Sequence, residues 1–368
     1  MKTIIINGAN GYVASHFIIK LLKHKYKVIA LVRPSIKFSS TERMKKVLEE
    51  NSYGEKVNIA NLQVFNYSLL HKDFLIPQEQ LEEIFSEDVD YFHFAASLKY
   101  NLKSKDEIFK TNVEGVENSL KIYTKYATKN SRFFFIGTAY SCGKIDEPFQ
   151  EKFYANQDIT YFRNYYEQSK RFGENVVKNF ISQKGINGHI LRLSQVVGHN
   201  QSGVTKTDYG IFDFTKRVYN LASRYPYETV RVKINPEATQ NLIPINTVVR
   251  YLLRAVNVES LPVIMNFVSK NQIQNIQIIN IINKILPIKI IPVKFIAQND
   301  FSLLERSIAL GMSFTGNYID TNIVFETKNL DKIMSTSKDE PNEHSVYKMI
   351  EYFINNLTQK KKKQISAS

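Results

Sequence analysis

Short apolar runs alternate along this chain with stretches whose apolar residues recur at helical spacing. Ile4 to Asn7 is one such run; after Gly8-Ala9-Asn10-Gly11, Phe17, Ile18, Leu21 and Leu22 fall on one helical face. The pattern predicts strand, turn, helix. Val28 to Val32 and Leu62 to Phe65 predict the second and third strands, and Thr41 to Glu50 an exposed amphipathic helix built on Met44, Val47 and Leu48. A helix over Gln78 to Phe85 leads to a fourth strand, Val89 to Ala96, that ends in small residues. Helix Asp106 to Tyr126 precedes strand Phe133 to Gly137, and helix Tyr166 to Gln183 precedes strand Gly188 to Leu193. Strands alternating with helices predict an α/β protein whose parallel sheet is covered on both faces.

After Gly198 the rhythm loosens. Aromatic and polar residues mix through Asp208 to Tyr227, which predicts helices and loops of a substrate cap. Leu242-Ile243-Pro244-Ile245 and Val263 to Val268 read as segments returning to the main sheet. Ile273, Ile276, Ile279, Ile282 and Leu286 mark one helical face, and Ile288 to Val293 a strand. The expected organisation is a sheet domain over 1–198, with 240–270 returning to it, a smaller substrate-binding subdomain over 199–239 and 271–355, and a basic flexible tail over 356–368.

A chain of 368 residues is long enough for one large α/β domain and a smaller appended one. The single cysteine, Cys142, excludes an internal disulfide framework and a thiolate zinc cluster, so a reducing compartment, the cytoplasm, is expected. Ile4-Ile5-Ile6 is too short for a signal-peptide core. Polar and charged residues interrupt the apolar stretch Ile273 to Ile296, so no membrane span is expected. A formal charge of +14 points to acidic partners: nucleotide phosphates, coenzyme A or an acidic acyl carrier protein. Nucleic acid is disfavoured, because the basic residues are spread along the chain and Lys360-Lys361-Lys362-Lys363 is the one dense run.

Gly8-x-x-Gly11-x-x-Ala14 follows the first strand and opens a helix, the context in which a glycine turn brings backbone amides against a pyrophosphate. Any strand-to-helix turn can need glycine, so the spacing carries weight only with its place in the chain. Where an NAD-binding fold has an acidic residue after the second strand, this chain has Leu31-Val32-Arg33, with Arg43 further on. Guanidinium forks match a 2′-phosphate and predict NADPH; a solvated helix face is the alternative for Arg43.

Tyr166 and Lys170 stand four residues apart, on one helical face. A phenol near pKa 10 is a poor acid at neutral pH, and a neighbouring cation brings it toward the working range. Such pairs also occur on ordinary surface helices. The added feature is Thr138, which follows the strand Phe133 to Gly137 at the carboxyl edge, where parallel sheets bind ligands; its hydroxyl suits a developing oxyanion.

Over nearly its whole length the chain resembles the extended short-chain dehydrogenase/reductase superfamily. The resemblance rests on the glycine motif, Asp90 to Ala96, Thr111-Asn112-Val113-x-Gly115, Gly137-Thr138-Ala139-Tyr140, Tyr166-x-x-x-Lys170, Leu191 to Gly198, and Leu242 to Ile245, in that order. Leu31-Val32-Arg33 with Glu42-Arg43-Met44, and Phe325 to Leu330, are similar to the thioester-reductase and fatty-acyl-CoA-reductase branch. The resemblance implies a doubly wound (Rossmann) parallel sheet with a smaller C-terminal substrate-binding subdomain. It implies a Thr138, Tyr166, Lys170 triad, Asn112 supporting a lysine–water relay, Ala95 and Ala96 beside the cofactor, and Lys170 holding the nicotinamide ribose. Gly8, Asn10, Gly11, Tyr12, Val13, Arg33, Arg43, Ser97, Ser194 and Val196 complete the expected cofactor-binding set.

Three positions depart from the pattern. Ala14 stands at the usual third glycine, Asn66-Tyr67 where glycine-aspartate often lies near the adenine, and Leu193 in place of a proline after Arg192. The seven histidines show no metal-ligand spacing, so no metal is expected, and His93 inside an apolar strand reads as a packed core residue. The expected function is reduction of a coenzyme A- or carrier-bound acyl thioester to aldehyde or alcohol. The alternatives are a ketone or sterol-type dehydrogenase, a nucleotide-sugar epimerase or dehydratase, and a non-catalytic NADP sensor.

Overall fold

A parallel sheet whose central strands are buried on both faces needs helices on each side, and the computed structural model, which describes residues 2–100, 102–311, 315–334 and 339–366, is built in that way. In chain order its elements begin β1 (Thr3–Asn7), α1 (Tyr12–Lys23), β2 (Lys27–Val32), α2 (Ser40–Asn51), β3 (Leu62–Asn66), α3 (Gln78–Ile84), β4 (Val89–His93) and α4 (Lys105–Phe109). A π-helical turn over Lys110–Glu114 runs into α5 (Gly115–Tyr126), followed by β5 (Arg132–Thr138), α6 (Tyr165–Lys184) and β6 (Asn187–Leu193). Then come β7 (Gln195–Val197), α7 (Ile211–Ala222), β8 (Thr229–Lys233), β9 (Thr239–Gln240), β10 (Leu242–Pro244), α8 (Ile245–Asn257) and β11 (Ile264–Phe267). The chain continues through β12 (Ile273–Gln274), α9 (Asn275–Ile285), β13 (Lys289–Val293), α10 (Leu303–Gly311), α11 (Lys328–Ile333) and α12 (Glu343–Ser366).

The main sheet has the order β11-β6-β5-β4-β1-β2-β3, and every neighbouring pair is parallel. The order reverses at β1/β4, the switch point at which doubly wound sheets bind dinucleotides. The chain divides into two units. The first takes in the described residues of Met1–Leu193, Val248–Phe267 and Phe325–Thr336, the second those of Ser194–Thr247, Val268–Val324 and Ser337–Ser368.

In the first unit, charges replace apolar packing at two buried points. Arg132 Nε and Nη2 grip the Asp90 carboxylate at 2.8 and 2.5 Å, and the same guanidinium caps the end of α8 at the Val256 and Val258 carbonyls. Arg192, fully buried, donates to Glu174 at 3.0 and 2.8 Å and to the carbonyls of Gln150 and Lys152. The Phe325 to Leu330 motif also has a structural task here. Phe325 bridges Phe149, and the Glu151 carboxylate accepts from the amides of Asn266, Asn329 and Leu330, tying α11 to β11.

The second unit has its own core, in which Phe212, Phe214, Val218, Ile278, Ile282, Met349, Ile350 and Phe353 pack together from α7, α9 and α12. Two small parallel ladders, β7 with β10 and β8 with β13, lie within it.

Several expectations change. Leu242–Pro244 does not return to the main sheet but pairs with Gln195–Val197; Pro244 has no N–H to extend a ladder, and α8 starts at the next residue. Only Ile264–Phe267 joins the main sheet, as its edge. β4 stops at His93 rather than Ala96, because the Ala95 amide turns to the Asn7 side chain. The predicted single helix Asp106 to Tyr126 is interrupted by the π turn. On α9 the buried face includes Ile278 and Ile281 beside Ile279 and Ile282, while Ile273 belongs to β12. The Lys360 to Lys363 run continues α12 as helix to Ser366, since lysine is a good helix former and a cation near a helix C-terminus is favoured.

Glu174→Gln leaves the Arg192 guanidinium buried without its carboxylate. The expected loss in unfolding free energy is about 3–5 kcal/mol, measured by urea denaturation; an unchanged midpoint would contradict this role.

Candidate active site

The carboxyl edge of the sheet collects the candidate residues. Gly8, just past β1, has φ +61°, and a Cβ there would lie 2.8 Å from the Ala95 amide nitrogen, so only glycine permits this approach. Asn7 fastens the two strand ends: its Oδ1 accepts from the Ala95 amide at 2.9 Å, and its Nδ2 donates to the Tyr91 hydroxyl at 3.0 Å and lies 2.8 Å from His93 Nδ1. Gly11 donates to the Gly8 carbonyl at 2.9 Å and caps α1 with backbone alone; no side chain among the described residues caps it. Such an N-terminus, twelve residues of helix behind it, suits a phosphate. Asn10, Tyr12 and Val13 around it are half-buried, and Gly11 is exposed.

Tyr67 belongs to this turn, although the sequence marked it only as a departure. Its buried hydroxyl accepts from the Gly8 amide at 3.2 Å. Burial pushes the phenol up to about 12, with the Gly8 N–H and the Arg33 charge pulling the other way. Arg33 is exposed just past β2, and Arg43 of α2 donates to its backbone carbonyl. The start of α2 is fixed by a Ser39/Glu42 capping box and by the Ser40 hydroxyl, which donates to the Val32 carbonyl at 2.7 Å. Two guanidinium groups therefore stand at one strand end, beside the glycine turn. This set of a close-approach glycine, an uncapped helix N-terminus and two arginines fits a nicotinamide dinucleotide.

Asn164 caps α6 by accepting from the Glu167 amide at 2.9 Å, which puts half-buried Tyr166 in the first turn. One turn on, Lys170 is 3% exposed. Its Nζ donates to the Ile136 carbonyl at 2.9 Å, two residues before Thr138, and sits 4.9 Å from the centre of the Phe135 ring. Burial pulls the ammonium down to about 8, against the opposing pull of Glu174. Thr138 is buried at the end of β5; its hydroxyl donates to the Leu193 carbonyl at 3.2 Å and accepts from the Tyr140 amide at 3.2 Å.

Asn112 lies in the π turn, a distortion common at functional sites. Its Oδ1 accepts from the Ser97 amide at 2.7 Å, and its Nδ2 donates to the Ser97 carbonyl at 3.1 Å and to Ser169 Oγ at 2.9 Å; Ser169 in turn donates to the Tyr166 carbonyl. Ser169, unmarked in the sequence reading, thus links Asn112 to the backbone of Tyr166. A Cβ at Gly173 would lie 2.9 Å from the Asn112 carbonyl, so α6 and the π turn touch through backbone. Ala95, Ala96 and Ser97 are half-buried beyond β4. Ser194 and Val196 belong to the second unit, Ser194 buried and Val196 half-buried in β7. His93 is buried, and burial, with Lys170 nearby, pulls it down to about 3, so it stays neutral.

A parallel sheet with its nucleotide turn at the β1/β4 switch point, and a lysine helix packed on β5, define the class: a doubly wound α/β protein of the kind that binds a nicotinamide cofactor. More narrowly, residues 6–252 match the model of the NAD-binding family described as Male sterility protein, and the chain belongs to that family. It is 24% identical over 270 residues to the L-2-aminoadipate reductase large subunit of Penicillium chrysogenum, a match covering 68% of this chain and only 18% of that protein. Among solved structures it resembles the terminal R domain of the myxalamid PKS-NRPS pathway (TM-score 0.78, 16% identity, 97% of this chain and 91% of that one). A thiolation-reductase di-domain from an archaeal non-ribosomal peptide synthetase is similar at TM-score 0.75 and 18% identity, over 97% of this chain and 76% of that one. UDP-glucuronic acid 4-epimerase of Bacillus cereus, in complex with NAD, follows at TM-score 0.66 and 16% identity, over 97% and 98%. No described helix is long and apolar enough to cross a membrane.

The depressed Lys170 gives a pH test. Below about pH 8 both folded and unfolded states hold its proton, and the burial penalty is felt in full. Between there and 10.5 the folded state sheds a proton that the unfolded state keeps, and the penalty disappears. The stability of Lys170→Met relative to the native protein should therefore be most favourable at pH 7 and should decline by up to about 3 kcal/mol toward pH 10.5, by urea unfolding at each pH. A difference independent of pH would contradict a buried ammonium.

Proposed function

We propose that this protein reduces an acyl thioester, held on coenzyme A or a carrier protein, to the aldehyde or alcohol, using NADPH. The observation that carries the reading is the Lys170 ammonium, buried one helical turn from Tyr166 and bonded to the strand that ends in Thr138. Likeness to a thiolation-reductase di-domain and a terminal R domain supports the thioester as substrate.

When bound, NADPH supplies the hydride for the thioester carbonyl carbon. The chain's own residues handle the oxygen. Tyr166 gives its hydroxyl proton to it, and the Lys170 charge favours the resulting phenolate. Thr138 turns its hydroxyl from the Leu193 carbonyl to the substrate oxygen, a hydrogen bond strongest as negative charge develops. Loss of thiol from the hemithioacetal gives the aldehyde. Lys170 would also hold the nicotinamide ribose, and Asn112, bridged to the Tyr166 carbonyl through Ser169, would keep the relay in line.

Gly8, Asn10, Gly11, Tyr12 and Val13 would hold the pyrophosphate, Arg33 and Arg43 the 2′-phosphate, and Ala95, Ala96 and Ser97 would line the dinucleotide.

With a range of acyl thioesters, the purified protein should consume NADPH, and Tyr166→Phe should lower kcat by about 10²–10⁴, followed at the nicotinamide absorbance. Turnover of a UDP-sugar with no net NADPH consumption, or full activity in Tyr166→Phe, would overturn the reading. Separately, Arg33→Ala with Arg43→Ala should raise KM for NADPH about tenfold or more while leaving NADH use unchanged; equal effects on both cofactors would contradict 2′-phosphate recognition.

A further inference from the structure

One end of the second unit gathers exposed cations. α12 runs parallel to α7, with the Phe353 and Phe212 ring centres 5.2 Å apart and Thr358 Oγ1 donating to the Tyr219 hydroxyl at 3.2 Å. This register brings Arg224, just beyond α7, level with Lys360–Lys363 on α12. The Tyr225 amide donates to the Leu221 carbonyl, the Tyr227 amide to the Pro287 carbonyl at 2.6 Å, and the Lys289 amide to the Glu228 carbonyl at 2.9 Å, so the same end also carries Lys289. Arg224, Lys289 and Lys360–Lys363 are exposed, and so are Tyr225 at 47% and Tyr227 at 87%. Glu228 is the acid of these segments, one negative charge among six positive ones.

A helix C-terminus favours a nearby cation, but its field fades within the last turn and does not account for six charges and two bare phenols. Like charges held together repel, and an acidic surface relieves them while exposed tyrosines add flat contact area. A membrane-bound helix would turn its apolar face outward; here Val346, Met349, Ile350, Phe353 and Ile354 are buried within the unit. We propose that this basic, tyrosine-bearing surface docks a small acidic carrier protein that presents the thioester on its prosthetic arm. The proposal rests on the thioester reading above and adds to it where the carrier binds.

The test uses the full chain bearing Lys360→Glu, Lys361→Glu, Lys362→Glu and Arg224→Glu, with the matching Gln set as a milder variant. One acyl group is offered on a purified acidic thiolation domain and on pantetheine, which has no charge to steer. For the Glu set, KM for the thiolation-domain substrate should rise about tenfold or more, with a smaller rise for the Gln set, and kcat/KM for acyl-pantetheine should stay within about twofold. An unchanged KM overturns the surface. Fluorescence anisotropy of the labelled thiolation domain reads docking without turnover. Binding by the native protein and not by the Glu set supports the surface even if neither thioester is reduced. Equal binding by both, alongside reduction of acyl-pantetheine, overturns the surface and leaves the reductase reading standing. Tighter binding to phosphatidylserine vesicles than to the thiolation domain also overturns it, in favour of lipid.

Discussion

Removing the Lys170 ammonium from water costs free energy, and the site exists because α6 packs closely enough on the sheet to offset that cost. The helix reaches this depth through glycine: Gly173 passes the Asn112 carbonyl where a Cβ would meet it at 2.9 Å, and Gly137 of β5 leaves room for Glu174, whose carboxylate holds Arg192 and the Ser141 hydroxyl. The Ile136 carbonyl accepts a hydrogen bond from the ammonium at 2.9 Å. The same contact fixes the turn of α6 that carries Tyr166, so packing, charge burial and the proposed acid pair are one arrangement.

The carboxyl ends of successive strands then divide the labour. Gly8 follows β1, Arg33 β2, Tyr67 β3 and Ala95 β4, while Thr138 ends β5. Asn7 and Gly8 bring the first and fourth of these ends into backbone contact, at the point where the strand order reverses. The residues proposed for cofactor recognition and for oxygen chemistry thereby share one edge, where the strands are held in register by fully buried apolar residues such as Ile4–Ile6 and Phe133–Phe135.

The sheet was legible because strands buried on both faces read as continuous apolar runs, and the helices between them keep a regular period. The π turn was not, since one extra residue per turn leaves the apolar pattern of Asp106 to Tyr126 almost unchanged. Leu242–Pro244 looked like a sheet strand because three apolar residues do not reveal their partner. The placement of Tyr166 and Lys170 one turn apart on α6 was readable because helical spacing alone sets it. Tyr67 and Ser169 were not, because their hydroxyls act through bonds to Gly8 and Asn112, 59 and 57 residues away in the chain. The basic run at 360–363 reads as a tail by composition alone; its helix follows from the apolar stripe of α12 that precedes it.

The most direct test is titration of the Lys170 side chain by nitrogen-15 NMR of lysine-labelled protein, with Lys170→Arg identifying the resonance. The account predicts a midpoint at about 8, set by burial. A midpoint near the ordinary 10.5 would mean a solvated ammonium and would contradict the site described.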